Sequence, residues 1–325
     1  MRSNLVLWFV VSVVVVCSPF QSACADVLVG SMNGTVHHFS DDGTELLGTY
    51  ATGNYSFGGC IGPDNHLYSV SMVTNQIYRT DPVTGTVESF ASESPGSAPV
   101  DVEFGPDGNI YVTHDGNTTI TRVDGTTGES LGVFADVAGY STITYNLTFG
   151  PDENLYVTCG GGVVGGSRVL RFNGTSGAYM DIFAGVDSSW ENPLNMLGAQ
   201  ALRFEDDYLY VTDSLKPSPG PSYKVLRYDA TTGEPLDTFV PHNSGGLDNP
   251  SGILFTDGGV LVTGLYTDGV LRYDSGTGAF LDEWASLTRP TFIEAWAIPE
   301  PSAFMMLMMG LVVFLAYTKK RRKNR

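Results

Sequence analysis

FGPDGNIYVTH, Phe104 to His114, is the stretch that decides how this chain folds. An apolar run ends at Phe104, Gly105-Pro106-Asp107-Gly108 has Pro and Gly where a type I turn wants them, and Ile110 to Thr113 restarts an extended segment. The stretch therefore reads as a hairpin. It returns as IGPDNHLYSVS (Ile61 to Ser71) and FGPDENLYVTC (Phe149 to Cys159), then more loosely as FEDDYLYVTD (Phe204 to Asp213) and FTDGGVLVTG (Phe255 to Gly264). A second phrase recurs between the hairpins: DGTTGES from Asp124, NGTSGAY from Asn173, DATTGEP from Asp229 and DSGTGAF from Asp274. Gly in each supplies the positive φ of a tight turn. Aligned on both phrases, every repeat has four short extended segments, A to D. In the third repeat they are Val100 to Phe104, Ile110 to Thr113, Thr119 to Val123 and Leu131 to Phe134. Four antiparallel strands at a period of roughly 43 to 55 residues read as propeller blades.

The two ends of the repeat region share one blade. DVLVGS, GTVHHFS and ELLGTYA (Asp26 to Ala51) supply segments B, C and D without an A, and RPTFIEAWAI (Arg289 to Ile298) supplies the missing A. Pairing them closes the ring without an exposed edge. Five complete repeats and this composite predict an all-β, six-bladed β-propeller over residues 26–298. FGPDGNIYVTH and VLRYDATTGEPLDTFV (Val225 to Val240) make the region resemble NHL-type six-bladed propellers. That likeness implies the fold and leaves function open, because one ring serves lactonases, lyases and binding proteins. The fifth and sixth repeats lack the Gly-Pro-Asp-Gly turn and are one residue shorter there.

Between Asp26 and Ile298 there are 10 Lys and Arg against 34 Asp and Glu, hence a formal charge of −24. Such a surface repels nucleic acid and anionic lipid and suits cations or basic partners, besides conferring solubility.

The flanks read as addresses. Arg2, an apolar run from Leu5 to Cys17, Pro19 and the small residues Ala23 and Ala25 make residues 1–25 a signal peptide with a helical core, cleaved before Asp26 by signal peptidase. Acylation of Cys24 is disfavoured by Gln21, where lipoprotein signals want an aliphatic residue. Residues 299–325 run Pro299-Glu300-Pro301, an apolar stretch from Ala303 to Tyr317, then six basic residues between Lys319 and Arg325. That order resembles the PEP-CTERM sorting signal. The resemblance implies recognition of Pro299, Glu300 and Pro301 by an exosortase and a transmembrane helix held in the inner membrane with its basic end cytoplasmic. It further implies delivery to the cell surface or extracellular matrix of a Gram-negative bacterium. The plain alternative is an ordinary C-terminal anchor.

In a propeller the A–B and C–D turns fall on one face, and here they are short. The B–C and D–A loops fall on the other and carry the insertions, at 160–167, 185–198, 213–222 and 241–249. Binding is expected on this second face. Strand B ends on Ser31, Ser71, His114, Cys159, Asp213 and Gly264, which are expected to ring the channel mouth. Asp101, Asn146 and Gln200 stand early in strand A. Asp101, Asn146 and Asp213 offer oxygen ligands suited to Ca²⁺ or Zn²⁺, with His114 beside them as candidate base. This is similar to the metal-binding mouth of gluconolactonase-like propellers and implies a lactonase, although no glutamate stands early enough in strand A. Lyase propellers of related shape use mouth histidines, which points to His114 and His242. The structural alternatives are a buried strand-end role for His114 and loop bonding by Asp213. Trp190, Trp284, Trp296, Tyr140, Tyr223 and Tyr266 serve either as sugar platforms or as packing. Cys60 and Cys159 fall on blades two apart and are expected to be buried free thiols. No Gly-x-Ser-x-Gly elbow, spaced histidine pair or phosphate loop is present. The sequence thus favours an exported, non-enzymatic binding or scaffold protein for a polysaccharide or cell-surface protein, with no cofactor expected. A metal-dependent lactonase or lyase is the alternative.

Overall fold

The computed structural model describes residues 25–53, 55–94, 97–141, 143–160, 166–185, 194, 196–214 and 223–297. Among these, 24 strands form six four-stranded antiparallel sheets, and the residues Ala25–Trp296 make one compact unit. The fold is a six-bladed β-propeller. The composite blade, blade 1, takes strand A from Pro290–Trp296 and strands B to D from Asp26–Ser31, Thr35–Phe39 and Leu46–Ala51. Its closing ladder runs from Asp26 opposite Trp296 to Ser31 opposite Pro290. The other A strands are Gly59–Ile61, Pro99–Phe104, Ile143–Phe149, Ala199–Glu205 and Pro250–Thr256, in blades 2 to 6. Neighbouring A strands touch around the ring and line its channel. Apart from a 3₁₀ turn at Ser244–Gly246, the described residues are all-β, and none of their helices is long enough to cross a membrane. The predicted signal helix, Ala23, the Pro299-Glu300-Pro301 triplet, the apolar stretch 303–317 and Trp190 lie outside the described residues.

The repeated phrase encodes the contact between blades. Tyr111, second residue of its strand B, stands edge-on to Phe134 of its own blade and to Phe149 of the next, with centroids 4.8 and 5.0 Å apart. Tyr68, Tyr156 and Tyr210 repeat the clasp with Phe90 and Phe104, Phe183 and Phe204, and Phe239 and Phe255. Each edge-to-face pair adds about 0.5–1.5 kcal/mol beyond its burial. Six apolar clusters result, each drawn from two adjacent blades. The turn in the motif is locked locally: Asp107 Oδ1 accepts the Asn109 backbone N–H at 3.0 Å and its Oδ2 accepts the Tyr111 hydroxyl at 3.0 Å. On the C–D turn, Gly177 sits at φ 71°, and a Cβ there would lie 2.0 Å from the Phe134 carbonyl of the preceding blade. Glycine is thus demanded twice, by conformation and by the approach of a neighbour.

The threonine of Tyr-Val-Thr stitches blades together. Thr113 Oγ1 donates to the Tyr145 carbonyl of the next blade at 2.7 Å, and Thr158 Oγ1 to that of Gln200 at 2.7 Å. Strand A bulges at these points, where the A–B register shifts between Pro99 and Asp101, Thr144 and Leu147, and Ala199 and Leu202. The threonine satisfies backbone groups that the bulge removes from the ladder.

Candidate functional site

The channel is lined by every A strand and encloses a cavity of about 260 Å³. Alternation along strand A sends every second side chain inward. Asp101 and Glu103 come from blade 3, Asn146 and Thr148 from blade 4, Arg203 from blade 5, and Phe292 and Glu294 from blade 1. Val102, Leu147, Leu202 and Ile293 between them pack into the clusters separating blades.

Asp101 and Asn146, predicted to act together, do meet. The Asn146 side-chain amide donates to Asp101 Oδ2, and the Leu147 backbone N–H donates to the same oxygen at 3.0 Å. Asn146 Oδ1 in turn accepts the Leu202 N–H at 3.1 Å. One carboxyl and one amide therefore brace three consecutive blades. Asp101 is only 3% exposed. Burial, outweighing the two backbone N–H donors, pushes its carboxyl up to about 8, with the nearby Glu294 adding to the rise. Burial likewise raises Glu103 well above the carboxylate range, helped by the charges of Glu294 and Asp101, and raises Glu294 against the pull of Arg203. Arg203 Nη1 lies 3.5 Å from Glu294 Oε2. Both glutamates keep partial exposure toward the channel.

The remaining candidates lie elsewhere. His114 is fully buried: Nδ1–H donates to the Thr119 carbonyl at 3.0 Å, its backbone N–H donates to Thr144 Oγ1, and Nε2 stands 3.4 Å from Glu93 Oε2 without a hydrogen bond. Asp213 is 1% exposed and caps the loop before strand A of blade 5, accepting the Gly198 N–H at 2.6 Å and the Leu197 N–H at 3.2 Å, with Lys224 Nζ at 3.8 Å. Neither lines the channel. Strand-B ends are masked from the axis by strand A, the innermost strand, so they do not ring the mouth as expected. Gln200 gives its carbonyl to Thr158, and Ala201, one residue on, takes the channel position matching Asp101 and Asn146. Asp101, Asn146 and Ala201 each stand three residues before Phe104, Phe149 and Phe204, so Gln200 is out of step by one. His242 is exposed on the connection between blades 5 and 6. Cys60 and Cys159 are free and buried, and burial holds Cys60 well above the ordinary thiol range and Cys159 up to about 12.

As a cation site the proposed trio is incomplete, because Asp213 is turned to backbone amides away from Asp101 and Asn146. Among the described residues no group of three or more His, Cys, Asp and Glu is placed to hold a metal. Reading strand A alone missed Glu103, Arg203 and Glu294. The signal was available: two residues past Asp101, past Ala201 and past Phe292, the pleat returns to the channel.

No family model matches the chain, and comparison with curated sequences gives no match. Solved structures do share the fold. One is a protein of unknown function from Bacteroides caccae, at 13% identity, TM-score 0.64, and coverage of 85% of this chain and 99% of that one. Another belongs to a nidogen/laminin complex, at 15% identity, TM-score 0.65, with 85% and 99% covered. A third is XC5397, a gluconolactonase from Xanthomonas campestris, at 16% identity, TM-score 0.58, with 82% and 86% covered. At such identities the likeness is one of fold.

Proposed function

We propose that this protein is an exported NHL-like propeller, carried by a signal peptide and a PEP-CTERM-type tail to the cell surface or exopolysaccharide. There it serves as a binding or scaffold module through the face bearing the B–C and D–A connections. What supports a non-enzymatic role is the employment of the candidate catalytic groups. Asp101 and Asn146 brace blades, Asp213 caps a loop and His114 bonds the Thr119 carbonyl. A general base must reach a substrate proton. His114, fully buried behind strand A, meets none. The address rests on residues 1–25 and 299–325: removing the latter should release soluble, folded propeller, and loss of folding on that truncation would contradict the boundary.

One observation keeps a lactonase-type reading alive. Asp101, Glu103 and Glu294 face one another in a channel whose fold a gluconolactonase shares. A lactone panel assayed with Ca²⁺ and Zn²⁺ decides between the two. Turnover abolished by Glu103→Gln and by chelator establishes the enzyme, and no turnover in either metal leaves the binding role.

A further inference from the structure

Blades 5 and 6 lack the Gly-Pro-Asp turn, and in blade 5 the space that its aspartate fills elsewhere is open. In blades 2 to 4 the turn aspartate accepts the strand-B tyrosine hydroxyl, at 3.1 Å for Asp64 with Tyr68 and 3.0 Å for both Asp107 with Tyr111 and Asp152 with Tyr156. The same carboxylate faces the strand-C arginine. Arg79 Nε donates to Asp64 at 2.8 Å, while Arg122 and Arg171 hold Nη1 at 3.8 and 3.9 Å from Asp107 and Asp152. In blade 5 the strands run to Glu205 and resume at Tyr208, leaving only Asp206 and Asp207 as turn, with Asp206 at φ 51°.

Among the described residues, no carboxylate then accepts the Tyr210 hydroxyl. Tyr210 is 3% exposed, and its hydroxyl neighbours Arg227, whose Nε and Nη2 pair with Asp237 at 3.1 and 2.5 Å. Where the aspartate would stand, a cavity of about 500 Å³ opens between blades 5 and 6. Its floor is Tyr208, Tyr210, Phe255 and Arg227, and its rim carries the carboxylates of Glu205, Asp206 and Asp257. The Arg227 guanidinium carbon lies 4.8 Å from the Tyr208 ring centroid.

This arrangement is selective about charge. The floor offers donors, the Tyr210 O–H and the arginine, so a ligand must bring an acceptor. The rim offers carboxylates, so the same ligand must bring donors and must not be an anion. A simple cation would leave the floor donors unmatched beside a like charge. A molecule with hydroxyls, which both donate and accept, and an apolar face to lie on tyrosine rings satisfies both layers. We propose that this cavity binds a neutral sugar residue of a polysaccharide. It lies on the face of A–B and C–D turns, opposite the face assigned above, so the two assignments fail independently.

The test uses the purified full-length protein and ligand-observed saturation-transfer NMR. The probes are neutral tetrasaccharides (cellotetraose, maltotetraose and laminaritetraose), with tetralysine and trigalacturonate as charged counterparts. At least one neutral probe is expected to bind with an affinity indifferent to salt. Tyr210→Phe and Asp206→Asn, which keep ring and shape, should each weaken it by about tenfold. Replacing Glu205–Asp207 by the Gly105–Gly108 turn, which sets an aspartate four residues before the tyrosine, should abolish it while leaving the melting temperature and circular dichroism unchanged. The proposal is overturned if no neutral probe binds at millimolar concentration, if binding survives Tyr210→Phe and Asp206→Asn, or if only tetralysine binds and is displaced by salt.

Discussion

The ring is held in two different ways. From blade 2 to blade 6 each interface repeats one device, a strand-B tyrosine clasped by two phenylalanines. Across blade 1, where the chain ends meet, Leu261 and Leu28 take the tyrosine's place, and Gly30 takes the threonine's. The junction of blades 6 and 1 keeps the threonine stitch, Thr263 Oγ1 to the Thr291 carbonyl at 3.3 Å, and contacts absent from the repeated interfaces hold the rest of this seam. Trp296 Nε1–H donates to the Asn65 carbonyl at 2.9 Å and Thr291 Oγ1 to that of Ser56 at 2.8 Å. His38 contacts Asp26 at 2.8 Å and Tyr50 at 2.9 Å, and the Tyr50 hydroxyl donates to the Pro82 carbonyl at 2.8 Å. A repeated interface forms between sequence neighbours and tolerates one formula. The closing strands come from opposite ends of the domain, and contacts found nowhere else in the ring fix their register against slippage.

The largest effect is expected in the repeated interfaces. Tyr111→Ala empties a site 1% exposed and strips both ring partners, and should cost about 3–5 kcal/mol in urea unfolding. Leu28→Ala at the matching seam position should cost less, about 2–3 kcal/mol, because no aromatic pairs are lost. A seam variant costing as much would show that closure, rather than the clasp, limits stability. Next in size is Gly30→Ala. A Cβ there would fall 1.9 Å from the Phe292 ring, so the wedge that replaces the threonine must shift, at about 1–3 kcal/mol. Gly30→Ala with Phe292→Leu should regain part of that loss, and an additive double variant would refute the contact as the cause.

The same division explains what the sequence disclosed. Repetition carries redundancy, so Phe104, Tyr111 and the Gly-Pro-Asp-Gly turn announced the blades, and the half-repeats at Asp26 to Ala51 and Arg289 to Ile298 announced their number and the closing ladder. Channel chemistry carries none: Asp101, Asn146, Arg203 and Glu294 each occur once at their positions. Their convergence depends on the pleat of strand A, which emerges only when the strands are aligned on Phe104, Phe149 and Phe204 and every second position is followed. Gln200 stands four residues before Phe204, where Asp101 and Asn146 stand three before Phe104 and Phe149, so it is one step out of line with them. His114 and Asp213 occupy equivalent strand ends, yet their partners differ: the Thr119 carbonyl of strand C for one, the Leu197–Gly198 amides of a loop with no repeated pattern for the other.

Asp101 sits at the border of the two regions, since a Cβ on Gly58 of blade 2 would fall 1.8 Å from its Oδ1. Its carboxyl is raised in the fold to about 8 from an ordinary 3.8. Below the ordinary value both folded and unfolded chains are protonated, and no penalty exists. As pH climbs toward 8 the unfolded chain releases its proton while the folded one retains it, so this group's contribution declines through that window and then levels. Asp101→Asn, which keeps a side-chain acceptor for the Leu147 N–H, should remove the dependence. The variant's midpoint relative to the parent should rise between pH 4 and 8, by about 1–2 kcal/mol at the upper end. A gap that is constant with pH would mean that Asp101 ionises freely.

The smallest effect tests whether the seam opens first. Thr113→Val removes a donor to the Tyr145 carbonyl in a repeated interface, and Thr291→Val removes one to the Ser56 carbonyl at the seam. Both threonines are fully buried, and their hydrogen bonds measure 2.7 and 2.8 Å. Each loss should cost about 1 kcal/mol. If the ring unfolds as one unit, the position of a missing bond is immaterial and the two variants should match within a few tenths of a kcal/mol. Hydrogen exchange then provides the finer reading. Should Thr291→Val speed exchange in strands Asp26–Ser31 and Pro290–Trp296 alone, while Thr113→Val leaves every blade equally protected, the closing ladder is a separate, weaker cooperative unit. Its single-use contacts would then fix register without matching the cohesion of the clasp.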